Sequence, residues 1–188
     1  METIDLRCES YDMNGMLDDA WTKYRLSKLK EFLARSFVFP KKALFIGHSN
    51  DFDDDLAKFL GVEYEFTTAD LDEPFPIHGI YDYVLCLDVL EHLMNPLTLL
   101  KRLKSLNCPV VISYPRHPFA PFWGRCHFHE FSERAFYTLI TAAGFKVVKH
   151  SKFSCRKEWW KFFNGFRPVL RFLLLLIGYP KHEIYIIG

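Results

Sequence analysis

The stretch Ile80 to Pro96, IYDYVLCLDVLEHLMNP, constrains the architecture of this chain more than any other. Within it, Tyr83 to Leu87 (YVLCL) has no polar face, so an extended conformation buries both of its sides. That is the pattern of an inner strand in a parallel sheet covered by helices, not of a strand with one face in water. Asp88, Glu91 and His92 follow directly. Asn95-Pro96 then restarts the chain as a helix, with Asn95 at the N-cap and Pro96 at the first helical position. Open α/β sheets bind ligands outside the carboxyl ends of their strands. The acids and the histidine released there mark the place to look for function.

The remainder of the chain fits one domain built around such a strand. Its 188 residues, 49% of them hydrophobic, suffice for a substantial core and exclude a disordered chain. The expected division is an N-terminal helical segment (1–40), a core (41–153), an aromatic insertion (154–180) and a last strand (181–188). With 24 basic and 23 acidic residues, no global field recruits nucleic acid. Five scattered cysteines without a CxxC pair argue for a reducing compartment and against a disulfide framework. METIDLRCES lacks the apolar core of a signal peptide, and Val169 to Ile177 (VLRFLLLLI) is shorter than the ~20 apolar residues of a membrane span. A cytoplasmic location is expected.

From Met16 to Arg35, Leu17, Trp21, Tyr24, Leu26, Leu29, Phe32 and Leu33 recur near helical spacing. This predicts a helix packed across the sheet, with a lid touching the site through Tyr11 and Trp21 as the alternative. Lys42 to Gly47 (KALFIG) reads as the first buried strand. A helix from Asp53 to Leu60 follows, capped by Ser49, Asn50 or Asp51 and stopped by Gly61. Val62 to Thr68 reads as a second strand, after which Pro74 and Pro76 hold the loop extended. Beyond the central strand come a helix from Pro96 to Leu106 and a strand from Pro109 to Ser113. Ser132 caps a further helix closed by Gly144, with Phe131 and Phe136 as a hydrophobic staple. Phe145 to Val148 and Glu183 to Ile187 read as the last strands.

Strand, glycine, turn and helix start form the generic opening of a nucleotide-binding sheet. Asp51, Asp53, Asp54 and Asp55 crowd the helix N-terminus where a dinucleotide would seat its pyrophosphate. Their charge opposes phosphate, and no second glycine appears until Gly61, so nicotinamide and flavin dinucleotides are disfavoured. A ligand carrying an ammonium and a sulfonium meets no such repulsion. The same aspartates also complement the helix dipole, and the two roles are compatible.

These residues give the chain a resemblance to class I S-adenosylmethionine-dependent methyltransferases, in the compact small-molecule branch of the type 11/12 kind. KALFIG, YDYVLCLDVLEHLMNPLTLL, VVISYP and HFHEFSERAFYTLITAAGFKVV carry it, over about Lys42 to Phe153. The resemblance implies a Rossmann-like, doubly wound, mostly parallel sheet with an antiparallel last strand. It implies S-adenosylmethionine as cofactor, held by Gly47, Asn50, Asp70, Leu71 and Asp88. Two departures accompany it. Gly47 is followed by HSNDF instead of a glycine-rich turn, and the interval from Gly47 to Asp82 is short by about one helix–strand unit. Asp70 accordingly fits either the ribose or the adenine. The degenerate glycine turn is the ground for a rival reading, a non-catalytic binding or scaffold module of the same fold. A Rossmann-like enzyme for another nucleotide is a weaker third.

Methyl transfer to a small molecule, with lipid- or glycan-linked acceptors included, needs alignment in a dry site and, for hydroxyl or amine acceptors, a base near neutrality. His117, after the strand ending near Ser113, and His129 are the candidate catalytic residues. His129 and Glu130 look like the family's substrate-side element, and His92 reads as ordering its loop. The CHFHE run, Cys126 to Glu130, offers metal ligands by type, but an extended loop supplies two at most, so no metal is expected. From Phe153 to Tyr179, arginines and lysines interleave with aromatics. Packing or a homodimer surface is the first reading of that segment, a peripheral membrane or amphiphilic-substrate surface the second, and nucleic acid the last.

Overall fold

The computed structural model describes residues 20–36, 41–67, 69–73, 75–116, 127–154 and 181–188. The elements run α1 (Ala20–Ala34), β1 (Lys42–Phe45), α2 (Asp51–Leu60), β2 (Glu63–Phe66), β3 (Tyr83–Leu87), α3 (Pro96–Lys104), β4 (Val110–Arg116), α4 (Glu133–Ala142), β5 (Val147–Ser154) and β6 (Lys181–Ile187). They form a six-stranded sheet of order β2-β1-β3-β4-β6-β5. The pairs from β2 through β4 are parallel, and β6 inserts antiparallel between β4 and β5. This is the expected mostly parallel sheet with an antiparallel last strand.

Period-two alternation assigns the strand side chains to two cores. Leu44, Val84, Cys86, Val110, Ile112 and Tyr185 face α3 and α4, joining Leu99, Leu103, Phe136 and Ile140. Ala43, Phe45, Leu85, Val111, Ile184 and Ile186 face α1 and α2, joining Leu29, Leu33, Leu56 and Phe52. Covering both faces removes the alternation of polar and apolar residues that a one-sided sheet shows, which is why YVLCL has no polar face. The predicted packing of α1 across the sheet holds; Tyr11 and the Trp21 side chain, named for the lid alternative, lie outside what is described.

Local signals set several boundaries. Asn50 caps α2 by accepting from the Asp53 amide, and Gly61 ends it at φ +64°. Ser132 caps α4 by accepting from the Ala135 amide, and the Phe131 and Phe136 rings meet edge to face at 5.9 Å. Asn95 occupies the N-cap of α3, yet its side chain makes no capping bond. β4 runs to Arg116, beyond the expected Ser113. Its pairing with β3 stops at Leu87 and Ser113, whereas pairing with β6 continues through Pro115 to Lys181. β5 is longer than Phe145 to Val148 because its polar half, Lys149 to Ser154, also pairs with β6.

No helix or strand among the described residues intervenes between β2 and β3. A loop replaces the missing unit, and its Leu71, Phe75 and Ile77 pack against the α3/α4 core. The Asp72 carboxylate ties this loop down by accepting from the Met94 and Asn95 amides at 3.1 and 3.0 Å. The carboxyl ends of β1 to β4 lie along one edge of the sheet. β5 ends and β6 begins there too, since Arg116 and Ser154 both register with Lys181.

Candidate functional site

Gly47 leaves β1 at φ +119°, a region that side chains other than glycine rarely enter. Its amide donates to the Thr67 hydroxyl at 2.8 Å, fixing the turn to the end of β2. Among the described residues, a Cβ there would meet Val89 Cγ2 at 3.7 Å, an ordinary van der Waals contact and not a clash. His48 and Ser49 are exposed, and Phe52 points into the α1/α2 core. Asn50 is engaged within the protein: besides its cap, its Nδ2 donates to the Asp53 carboxylate at 2.7 Å.

Asp70 is exposed in the loop after β2 and accepts from the Asp72 amide at 3.1 Å, an Asx turn. Leu71 is half-buried against the core beside it. Gly47, Asp70, Leu71 and Asp88 therefore share the carboxyl edge of β1, β2 and β3. His117 lies outside the described residues.

Asp88 is the hub of this edge. It follows β3 at φ +53°, a left-handed conformation that aspartate tolerates better than bulkier residues. The Arg25 guanidinium of α1 donates to one carboxylate oxygen. Ser113 at 2.8 Å and His182 Nε2 at 2.9 Å donate to the other. Burial works to raise the Asp88 carboxyl, but the charge of Arg25, then that of His182, outweighs it and holds the group well below the usual carboxylate range. Behind the hub, the gap bounded by Arg25, Phe52, Ser113 and His182 has no room for a water molecule. Sequence reasoning missed Arg25, Ser113 and His182. For Arg25 a signal exists: it recurs with Leu29 and Phe32 on the buried stripe of α1, where an unpaired charge would be costly. Ser113 is brought in by the parallel register of β4 on β3, and His182 by the antiparallel insertion of β6; neither leaves a local trace.

Beyond Asp88 a 3-10 turn, Leu90–His92, presents Glu91 inward and His92 to solvent. The Glu91 carbonyl accepts from the amides of both Phe128 and His129, at 2.8 and 3.1 Å, docking the loop before α4 onto this turn. His127 and His92 rings then meet edge to face at 4.9 Å. His127 Nδ1 pairs with Glu130 at 2.8 Å. His129 stacks on Phe131, and its Nε2 donates to the Met94 carbonyl at 3.4 Å.

Solved structures share the fold that carries this edge. The chain is similar to the N-methyltransferase NodS from Bradyrhizobium japonicum WM9, solved with S-adenosyl-L-homocysteine, at TM-score 0.63 and 14% identity over 95% of this chain and 93% of that one. It is similar to a SAM-dependent methyltransferase from Archaeoglobus fulgidus, at TM-score 0.59 and 15% identity over 89% and 94% of the two chains.

The chain has the class I methyltransferase fold.

That fold is not tied to one reaction, since the [4+2]-cyclase SpnF is also similar, at TM-score 0.55 and 11% identity over 85% of this chain and 79% of that one. No family model and no curated protein matches the sequence. Among the described residues, no helix is long and apolar enough to cross a membrane.

Proposed function

We propose that this protein binds S-adenosylmethionine over the carboxyl ends of β1 to β3 and transfers its methyl group to a small molecule. The observation that carries this reading is Gly47, held at positive φ with no clash among the described residues around it, at the sheet edge it shares with Asp70 and Asp88. The Gly47 backbone, Asp70 and Leu71 would hold the cofactor, with Asp88 bounding the site from β3. When bound, the cofactor supplies a methyl group made electrophilic by the sulfonium. The protein's task is to align the acceptor and exclude water. With Nε2–H committed to the Met94 carbonyl, His129 keeps the Nδ1 lone pair for a proton from a hydroxyl or amine acceptor. His117 is the second candidate for that role. The reading extends to amphiphilic, lipid- or glycan-linked acceptors, met through residues 154–179, with homodimer packing as the other use of that segment.

One observation favours a second reading, a non-catalytic module. Asn50 and Asp53 bond each other, and Asp88 is satisfied by Arg25, Ser113 and His182, so much of the polar lining is already engaged. Thermal unfolding with S-adenosylhomocysteine separates the two. A ligand held ~100-fold above its Kd adds about 2.7 kcal/mol of stability. The catalytic reading expects a saturable rise in Tm that Asp70→Ala, an exposed substitution, removes. No rise at saturating ligand would leave the module reading alone.

A further inference from the structure

Glu91 is 1% exposed, and among the described residues neither of its carboxylate oxygens has a hydrogen-bond partner. A buried carboxylate without donors is among the costliest groups a fold can carry, and a cation is one of the few remedies for it. The surroundings of Glu91 have the chemistry of such a remedy. One ligand atom each from Glu91, His92 and His127 lies within 4.8 Å of the others. The CHFHE loop alone offers two ligands at most. The fold supplies the rest, because the paired amides of Phe128 and His129 dock that loop on the Glu91 carbonyl.

We propose that Glu91, His92 and His127 form a binding site for a divalent transition-metal ion. Two imidazoles and one carboxylate are the ligand set of open, three-ligand sites for zinc and for non-haem iron. Glu130 completes the arrangement from outside. Its carboxylate accepts from His127 Nδ1 at 2.8 Å, which leaves Nε2 as the coordinating nitrogen. A carboxylate on the far nitrogen of a ligating histidine orients the ring and raises its basicity. Ligand atoms around a tetrahedral ion at ~2.1 Å stand ~3.4 Å apart, so binding draws this cluster in by about an ångström. His92 is exposed and gives the ion a way in. Unlike many metal sites built on Asp or Glu clusters at surfaces, this one has its carboxylate in the interior. The site uses neither the Gly47 turn nor Asp70, so it stands or falls independently of S-adenosylmethionine binding.

The test is titration of the full chain, stripped of metal by chelator dialysis, with cobalt(II) and zinc(II) chlorides, read by calorimetry and by the visible spectrum of cobalt. The expected result is saturable one-to-one binding, with cobalt d–d bands and no thiolate charge-transfer band. His92→Ala and His127→Ala should each weaken binding on the order of a hundredfold, and Glu130→Gln about tenfold. His78→Ala, on the exposed loop before β3, should bind as the parent does. Circular dichroism establishes that each variant is folded. The histidine variants decide the matter even if Glu91→Gln fails to fold. Absence of one-to-one binding overturns the site, as does undiminished affinity in both His92→Ala and His127→Ala. A thiolate band would overturn it too, by assigning the ion to a cysteine.

Discussion

Asp53 is a residue whose ionisation the fold opposes. Burial pushes its carboxyl up to about 7, the Asp88 and Asp54 charges add to this, and the Asn50 side chain and Arg25 pull the other way. The unfolded chain releases that proton near pH ~3.9. Between about pH 4 and about pH 7 the folded protein therefore binds more protons, and stability falls as pH rises through that window. Asp53→Asn is expected to raise Tm at about pH 8, with the gain vanishing by about pH 4; a variant less stable than its parent at the higher pH contradicts this. Asp88 has the opposite sign. Its depressed carboxyl contributes fully above about pH 4, and the contribution is lost as pH falls below that. Asp88→Asn keeps the left-handed backbone tolerable but strips Arg25 of its counter-ion. Urea unfolding should show a loss of about 3 kcal/mol. Gly47→Ala tests the turn: with the nearest atom at 3.7 Å, the cost is backbone strain and not collision, ~1–3 kcal/mol in the same measurement.

Elements whose ends carry their own chemistry were readable before any coordinates. The ends of β3 follow from YVLCL and the acids after it, the stop of α2 from Gly61, and the start of α4 from Ser132 and the Phe131–Phe136 staple, whereas α2 starts at Asp51, ahead of the expected Asp53. Elements whose extent depends on a distant partner were not. The far half of β4 exists because β6 pairs with it past Ser113, and the polar Lys149 to Lys152 becomes strand only because β6 runs beside it. The same dependence hid the hub at Asp88, whose partners come from α1, β4 and β6. It hid the Glu91–His92–His127 cluster as well, since the backbone bonds that assemble it join segments far apart in sequence. The helix α1 was legible as a packing helix, and its energetic weight can be measured. Leu33 is fully buried in the core beneath it, so Leu33→Ala should cost ~2–5 kcal/mol in equilibrium unfolding. A cost under ~1 kcal/mol would mean that α1 adds little to the folded core.

At the scale of the molecule, a sheet covered on both faces leaves only its edges for chemistry, and the carboxyl edge gathers Gly47, Asp70, Leu71, Asp88 and the Glu91–His92–His127 cluster. Among the described residues, another recess competes for a ligand. A cleft of about 400 Å³ lies between α1 and β5, with Tyr24, Lys28, Lys149 and Phe153 among its walls. The central claim is that S-adenosylmethionine belongs at the edge and not in that cleft. An amide-resolved NMR titration of the full chain with S-adenosylhomocysteine tests it most directly. The account predicts saturable shifts at Gly47, Asp70, Leu71 and Val89, with Lys149 and Lys152 unmoved. Shifts confined to Lys149 and Lys152, or none at saturating ligand, would contradict it.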